Sequence, residues 1–160
     1  MIQFAAVDRF ASFDRVMTPI MRCGAIAAFG LTSAIGLAPA VASATDSFQT
    51  PSGNIHCLVF TEADGQNSLR CDVLENKAPI PPQPADCPLD WGHVFTMGSR
   101  QPGAFACAAD TIADPSNPVL PYGRVWNRGG FRCEATPDRL RCENQAGHNW
   151  ELSRDRQRLR

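Results

Sequence analysis

His56, His93 and His148 are the three imidazoles of the chain, and acid–base work or zinc ligation would normally draw on such groups. They fall in three separate segments, with no Cys-x-x-Cys or His-x-x-x-His spacing of the kind that marks a zinc site. Ser52, in Pro51-Ser52-Gly53, lacks the Gly-x-Ser-x-Gly elbow that would activate a serine, and reads as a turn residue. Asp72, Asp90, Asp110 and Glu134 could serve a paired-carboxylate hydrolase, but no nucleophile stands beside a base. No catalytic, metal or cofactor residue is assigned, and the chain reads as a non-enzyme.

Aromatic rings offer a second kind of chemistry, stacking on a sugar or peptide. Trp91, Tyr122, Trp126 and Trp150 carry most of that surface, although in a small β domain such rings usually form core. Trp126 and Trp150, with His148 in the turn after Gly147, are the candidate ligand contacts. Arg154, Arg156, Arg158 and Arg160 alternate through a basic tail, residues 154–160, expected to be solvated and mobile. A sharper reading of this tail is contact with an anionic envelope polymer.

Cysteine is the residue type whose spacing says most. Seven cysteines are present, and Cys23 lies in an N-terminal segment that is expected to be removed. Cys57, Cys71, Cys87, Cys107, Cys133 and Cys142 remain, an even set that reads as a disulfide framework in an oxidising compartment. Locked in disulfides they offer no nucleophile.

The elements that must position these cysteines are hairpins. Cys133 and Cys142 lie equally far from Pro137-Asp138, a pair suited to a turn tip. Directly opposed residues at a non-hydrogen-bonded site have Cα atoms roughly 4.5 Å apart, within disulfide range. Cys57 and Cys71 are likewise centred on Asp64, within a three-residue loop Ala63-Asp64-Gly65 whose glycine suits the left-handed position. The strands are expected over 55–61 and 68–74.

Six cysteines allow fifteen connectivities; the two hairpin registers favour Cys57–Cys71 and Cys133–Cys142, leaving Cys87–Cys107. Each ring stabilises by roughly 3 kcal/mol in the chain-entropy account, so reduction is expected to unfold the domain. Between the hairpins, the five prolines within residues 76–88 exclude a central strand or helix. Residues 89–98 and 103–108 read as two further strands, and no window after residue 44 sustains a 3.6-residue apolar period. The expected fold is a small, single-domain, mostly β, antiparallel structure of disulfide-stapled hairpins.

Residues 1–44 read as a signal peptide: Arg22, an apolar run from Cys23 to Leu37, then Ala42-Ser43-Ala44. Asp8 and Asp14 do not suit its basic n-region, and a start at Met17 gives an ordinary signal. The remainder, residues 45–153 with the tail, carries twelve basic and fourteen acidic residues, a formal charge of −2. That balance gives no support for nucleic-acid binding, and no stable membrane span is expected after cleavage.

Phe48-x-x-Pro-Ser-Gly-Asn-Ile-x-Cys57, Leu69-Arg-Cys-Asp, Cys87-Pro-Leu-Asp-Trp-Gly, Leu120-Pro-Tyr-Gly-x-x-Trp126 and Leu140-x-Cys-Glu-Asn-x-x-Gly-His148 resemble, in this order, a bacterial exported Cys-rich domain of unknown function. The chain departs from it at Asn149-Trp150, where Gly-Phe is expected. The resemblance implies an exported six-cysteine domain and supplies no catalytic residue.

The sequence thus points to a secreted or periplasmic binding or interaction module with an unknown envelope ligand or protein as partner. Its alternatives are a small inhibitor of an envelope-targeting lysozyme or protease, presenting a disulfide-held loop, and an envelope hydrolase. Intact mass before and after reduction, with peptide mapping, is expected to show loss of residues 1–44 and three nearest-neighbour disulfides. Free thiols or a retained N-terminus would break the compartment reading.

Overall fold

A computed structural model describes residues Thr45–Arg160; residues 1–44, read from sequence as a signal peptide and including Met17 and Cys23, lie outside the described residues. The described chain is all strand, in two five-stranded antiparallel sheets. The first runs in chain order through β1 (Ser47–Gln49), β2 (Ile55–Thr61), β3 (Asn67–Val73), β4 (Asp90–Gly98) and β5 (Ala104–Ala108). The second runs through β6 (Val125–Arg128), β7 (Phe131–Ala135), β8 (Leu140–Asn144), β9 (Asn149–Leu152) and β10 (Gln157–Leu159). Each sheet is a meander in which successive strands are neighbours, joined by tight reversals except for the long proline-rich crossing of residues 74–89 between β3 and β4.

The register follows the cysteines. Cys57 opposes Cys71 and Cys133 opposes Cys142, each pair with Cα atoms 4.1 Å apart and joined as a disulfide. That spacing is the one expected of a non-hydrogen-bonded antiparallel site. Gly65 closes the first hairpin with φ +80°, donating its N–H to Glu62 O at 2.9 Å. In the second, Thr136 and Arg139 close the tip around Pro137-Asp138 through a 2.8 Å backbone bond. The third disulfide, Cys87–Cys107, has its Cα atoms 5.7 Å apart and ties the proline-rich crossing to edge strand β5. Trp91 pins the same crossing, its Nε1–H donating to Pro81 O.

Since side chains alternate across a strand, fixing these registers also decides which face is buried. Ile55, Cys57, Val59, Leu69, Cys71 and Val73 of the first sheet point into one hydrophobic cluster with Phe131, Cys133, Leu140, Cys142, Trp150 and Leu152 of the second. The two sheets therefore share a core, with both hairpin disulfides inside it.

Trp150 fills the middle of that cluster and is fully buried, close enough to Gly103 that a Cβ there would fall 2.7 Å from the indole. Trp126 is buried as well, tilted against Phe48 at a centroid distance of 4.8 Å and donating its Nε1–H to Thr45 O. The two tryptophans proposed as ligand contacts are thus core residues, because their strand parity turns them inward.

The C-terminus also differs from expectation. Residues 154–160 are no mobile tail: Gln157–Leu159 pair with β9, and Arg160 exchanges two backbone bonds with Asn149. Of the alternating arginines, Arg158 is an outward position of edge strand β10, Arg154 and Arg156 lie in the β9–β10 turn, and Arg160 follows the strand, while Leu159 packs against the core. Truncation after Ser153 should accordingly lower the unfolding free energy by about 2 kcal/mol or more, for the lost Leu159 burial and ladder bonds. A solvated tail would leave the denaturant midpoint unmoved.

Candidate functional site

Of the residues that sequence reasoning weighed for chemistry, the three histidines stay apart, while Asp72 and Asp110 meet through Arg70. His56 is buried on the outer face of the first sheet, its Nε2 3.1 Å from Gly53 O while its Nδ1 accepts the Asp114 N–H. With Nδ1 accepting, Nε2 is the ring nitrogen placed to donate to Gly53 O. His93 is exposed and lies 3.2 Å from Val73 O through Nδ1. His148 is half-buried at the β8–β9 turn, where its backbone N–H donates to Asn144 Oδ1. Among the described residues no three His, Cys, Asp or Glu side chains gather as a metal site would require.

The densest polar cluster is Asp72 with Arg70 and Asp110. The buried Asp72 carboxylate accepts two bonds from Arg70, at 2.8 and 3.1 Å, and one each from the Thr111 hydroxyl and the Ile112 N–H. Arg70 also reaches the Asp110 carboxylate at 3.0 Å and its carbonyl at 2.7 Å. Burial by itself would lower the Arg70 pKa, but bonding and charge from Asp72 and Asp110 outweigh it and raise the value. The same contact, through its hydrogen bond and then its charge, holds the exposed Asp110 carboxyl below the usual range. A carboxylate saturated by four donors is no free base; the cluster straps the β5–β6 connection across the outer face of the first sheet.

A groove of about 570 Å³ opens at one end of the two sheets, inside the size range of small-molecule sites. Turns wall it. From the first sheet come Thr50, Ser52, Gly53 and Asn54 between β1 and β2, and Leu74 and Glu75 after β3. From the second come the β7–β8 tip around Pro137 and the β9–β10 tip at Arg154 and Asp155, with Tyr122 on the segment entering β6. Tyr122 and Leu74 are 44% and 48% exposed, so the rim carries an aromatic ring and an aliphatic side chain in water.

Side chains hold these walls rigid. The Asn54 amide grips the Glu75 backbone in both directions, accepting at 2.8 Å and donating at 3.3 Å. Thr136 Oγ1 bonds both the N–H and the carbonyl of Arg139, and Ser153 Oγ does the same to Arg156. The two tips share a Ser/Thr-x-Asp-Arg pattern, at 136–139 and 153–156, that was legible in the sequence but not read there as a paired feature.

The opposite end of the sheets is clasped shut. Asn144 donates to Gly98 O and Gln101 O, at 2.9 and 2.8 Å, and Asn67 donates to Gly129 O at 3.1 Å. A concavity of about 480 Å³ near Gly129 and Gly130 is formed along one strip of β6, β7 and β8 and lacks walls from the first sheet. The groove is the better candidate site, since elements of both sheets converge on it.

The profile of DUF6636, a family of unknown function, matches residues 30–160. The chain belongs to that family. No curated protein and no solved structure matches it. In this DUF6636 chain two of the motifs noted in the sequence, Pro51-Ser52-Gly53-Asn54 and Pro121-Tyr122-Gly123, supply residues to the groove. Pattern alone did not show that they meet, because about seventy residues separate them.

Asp72→Ala is expected to cost roughly 3 kcal/mol, the usual effect of stripping one partner from a buried ion pair, and to open residues 109–118 to proteolysis. Asp110 adds an acid limb. Its folded pKa lies below the unfolded value, so its contribution is present above that value and disappears as pH falls through the folded pKa. Asp110→Asn should therefore flatten the acid side of the stability profile in denaturant titrations. An unchanged profile would show that the strap is not held by this charge.

Proposed function

We propose that this DUF6636 member is an exported, non-enzymatic binding module of the cell envelope that engages its partner through the groove. Three disulfides fit an oxidising, extracytoplasmic setting, and the apolar N-terminal run with its Ala-Ser-Ala end supports export. Among the described residues no helix is long and apolar enough to cross a membrane.

The observation that carries the reading is the rim itself. An exposed tyrosine and leucine stand beside polar side chains on turns that are already bonded in place. Ordering cost on binding is then small, which favours recognition by a preformed surface. Both rim side chains project into solvent, so removing them should change binding without changing the fold.

The Leu74→Ser, Tyr122→Ala double variant is expected to lose cosedimentation with an isolated cell-envelope fraction while keeping its disulfides and its thermal midpoint. Retention equal to that of the parent protein would refute the groove as the contact. Turnover of the fraction that Asp138→Asn abolishes would make the protein an envelope hydrolase instead.

A further inference from the structure

We infer that the groove takes an uncharged saccharide chain, a conclusion that rests on its being the binding surface and goes on to name the ligand class. Charge comes first. The lining acids are Glu75, Asp138 and Asp155 and the lining bases Arg139 and Arg154, close to balance. Both arginines already face carboxylates: Arg154 lies 3.7 Å from Glu75 and 3.7 Å from Asp155, and Arg139 lies 3.9 Å from Glu151. A polyanion would have to displace these partners, and a cationic ligand would meet arginine next to each acid except Asp138.

The same groups suit hydroxyls. A sugar hydroxyl donates and accepts at once, and each guanidinium here supplies donors next to carboxylate acceptors. Hydrogen bonds to charged groups are the stronger kind, yet they need no net charge on the ligand. Neighbouring hydroxyls on a pyranose are spaced to meet a planar carboxylate or guanidinium with two bonds.

The rim supplies the rest of the recognition. A pyranose has an apolar C–H face, and Tyr122 presents a ring with a polar tip, the amphipathic form that suits such a face. Leu74 extends that apolar edge. An extended peptide would be read chiefly by backbone pairing at an open strand edge, whereas this groove is walled by turns.

Backbone amide shifts of the isotopically labelled, disulfide-bonded protein, titrated with chitotetraose, cellotetraose, maltotetraose and anionic polygalacturonate, test the inference. At least one neutral glycan should move the amides of Leu74, Tyr122, Arg139 and Asp155 in a saturable way at millimolar concentration or below. Tyr122→Ala should weaken that glycan about tenfold through loss of ring contact, and Tyr122→Phe should retain most of the affinity.

Shifts from polygalacturonate alone would overturn the uncharged class. If no glycan moves the groove while envelope cosedimentation still depends on Tyr122 and Leu74, the saccharide inference fails and the binding surface stands. Loss of both results would remove the binding surface as well.

Discussion

Two opposed cysteine pairs set the register on which everything else in this structure depends. Cys57–Cys71 joins β2 to β3 and Cys133–Cys142 joins β7 to β8, each between adjacent strands within its sheet. A slip of one residue would turn every side chain of a strand to the other face. A covalent bond between directly opposed residues forbids that slip. It also places the sulfur atoms on the inner face, where they become part of the shared core.

From that constraint the division of labour between faces follows. The inner positions carry Leu69, Phe95, Phe131, Leu140 and Trp150, all buried. The outer positions of the first sheet carry Gln49, His56, Arg70 and Asp72, which bind the long β5–β6 connection through its backbone and side chains. Polar residues on a sheet face buried beneath a loop need partners, and these have them. Of the groups the sequence offered as possible catalysts, His56, Asp72 and Asp110 are thus committed to holding this loop in place.

The two ends of the sheets differ for a comparable reason. At one end, Asn67 and Asn144 bond from one sheet to the other and bring the turns together. At the other, Asn54, Thr136 and Ser153 spend their hydrogen bonds within or next to their own turns. The turns there are held in place and leave a groove with Tyr122 and Leu74 exposed at its rim, the walls touching where Arg154 accepts the Lys77 N–H at 2.7 Å and faces Glu75. Walls already bonded in place are what a preformed binding surface requires.

Much of this was open to reading in the sequence because the deciding interactions are local. Strand alternation, a Pro-Asp tip and a Gly at a left-handed position each act over a few residues, so hairpins, register and all-strand character could be drawn from the chain itself. The fate of Trp126, Trp150 and the last seven residues could not, since burial depends on which face a second sheet covers and whether an edge strand finds a partner. The groove belongs to the same class. Its walls come from segments spanning residues 50 to 155, and only the packing of one sheet on the other brings Pro51-Ser52-Gly53-Asn54, Tyr122 and the two Ser/Thr-x-Asp-Arg tips to a common end.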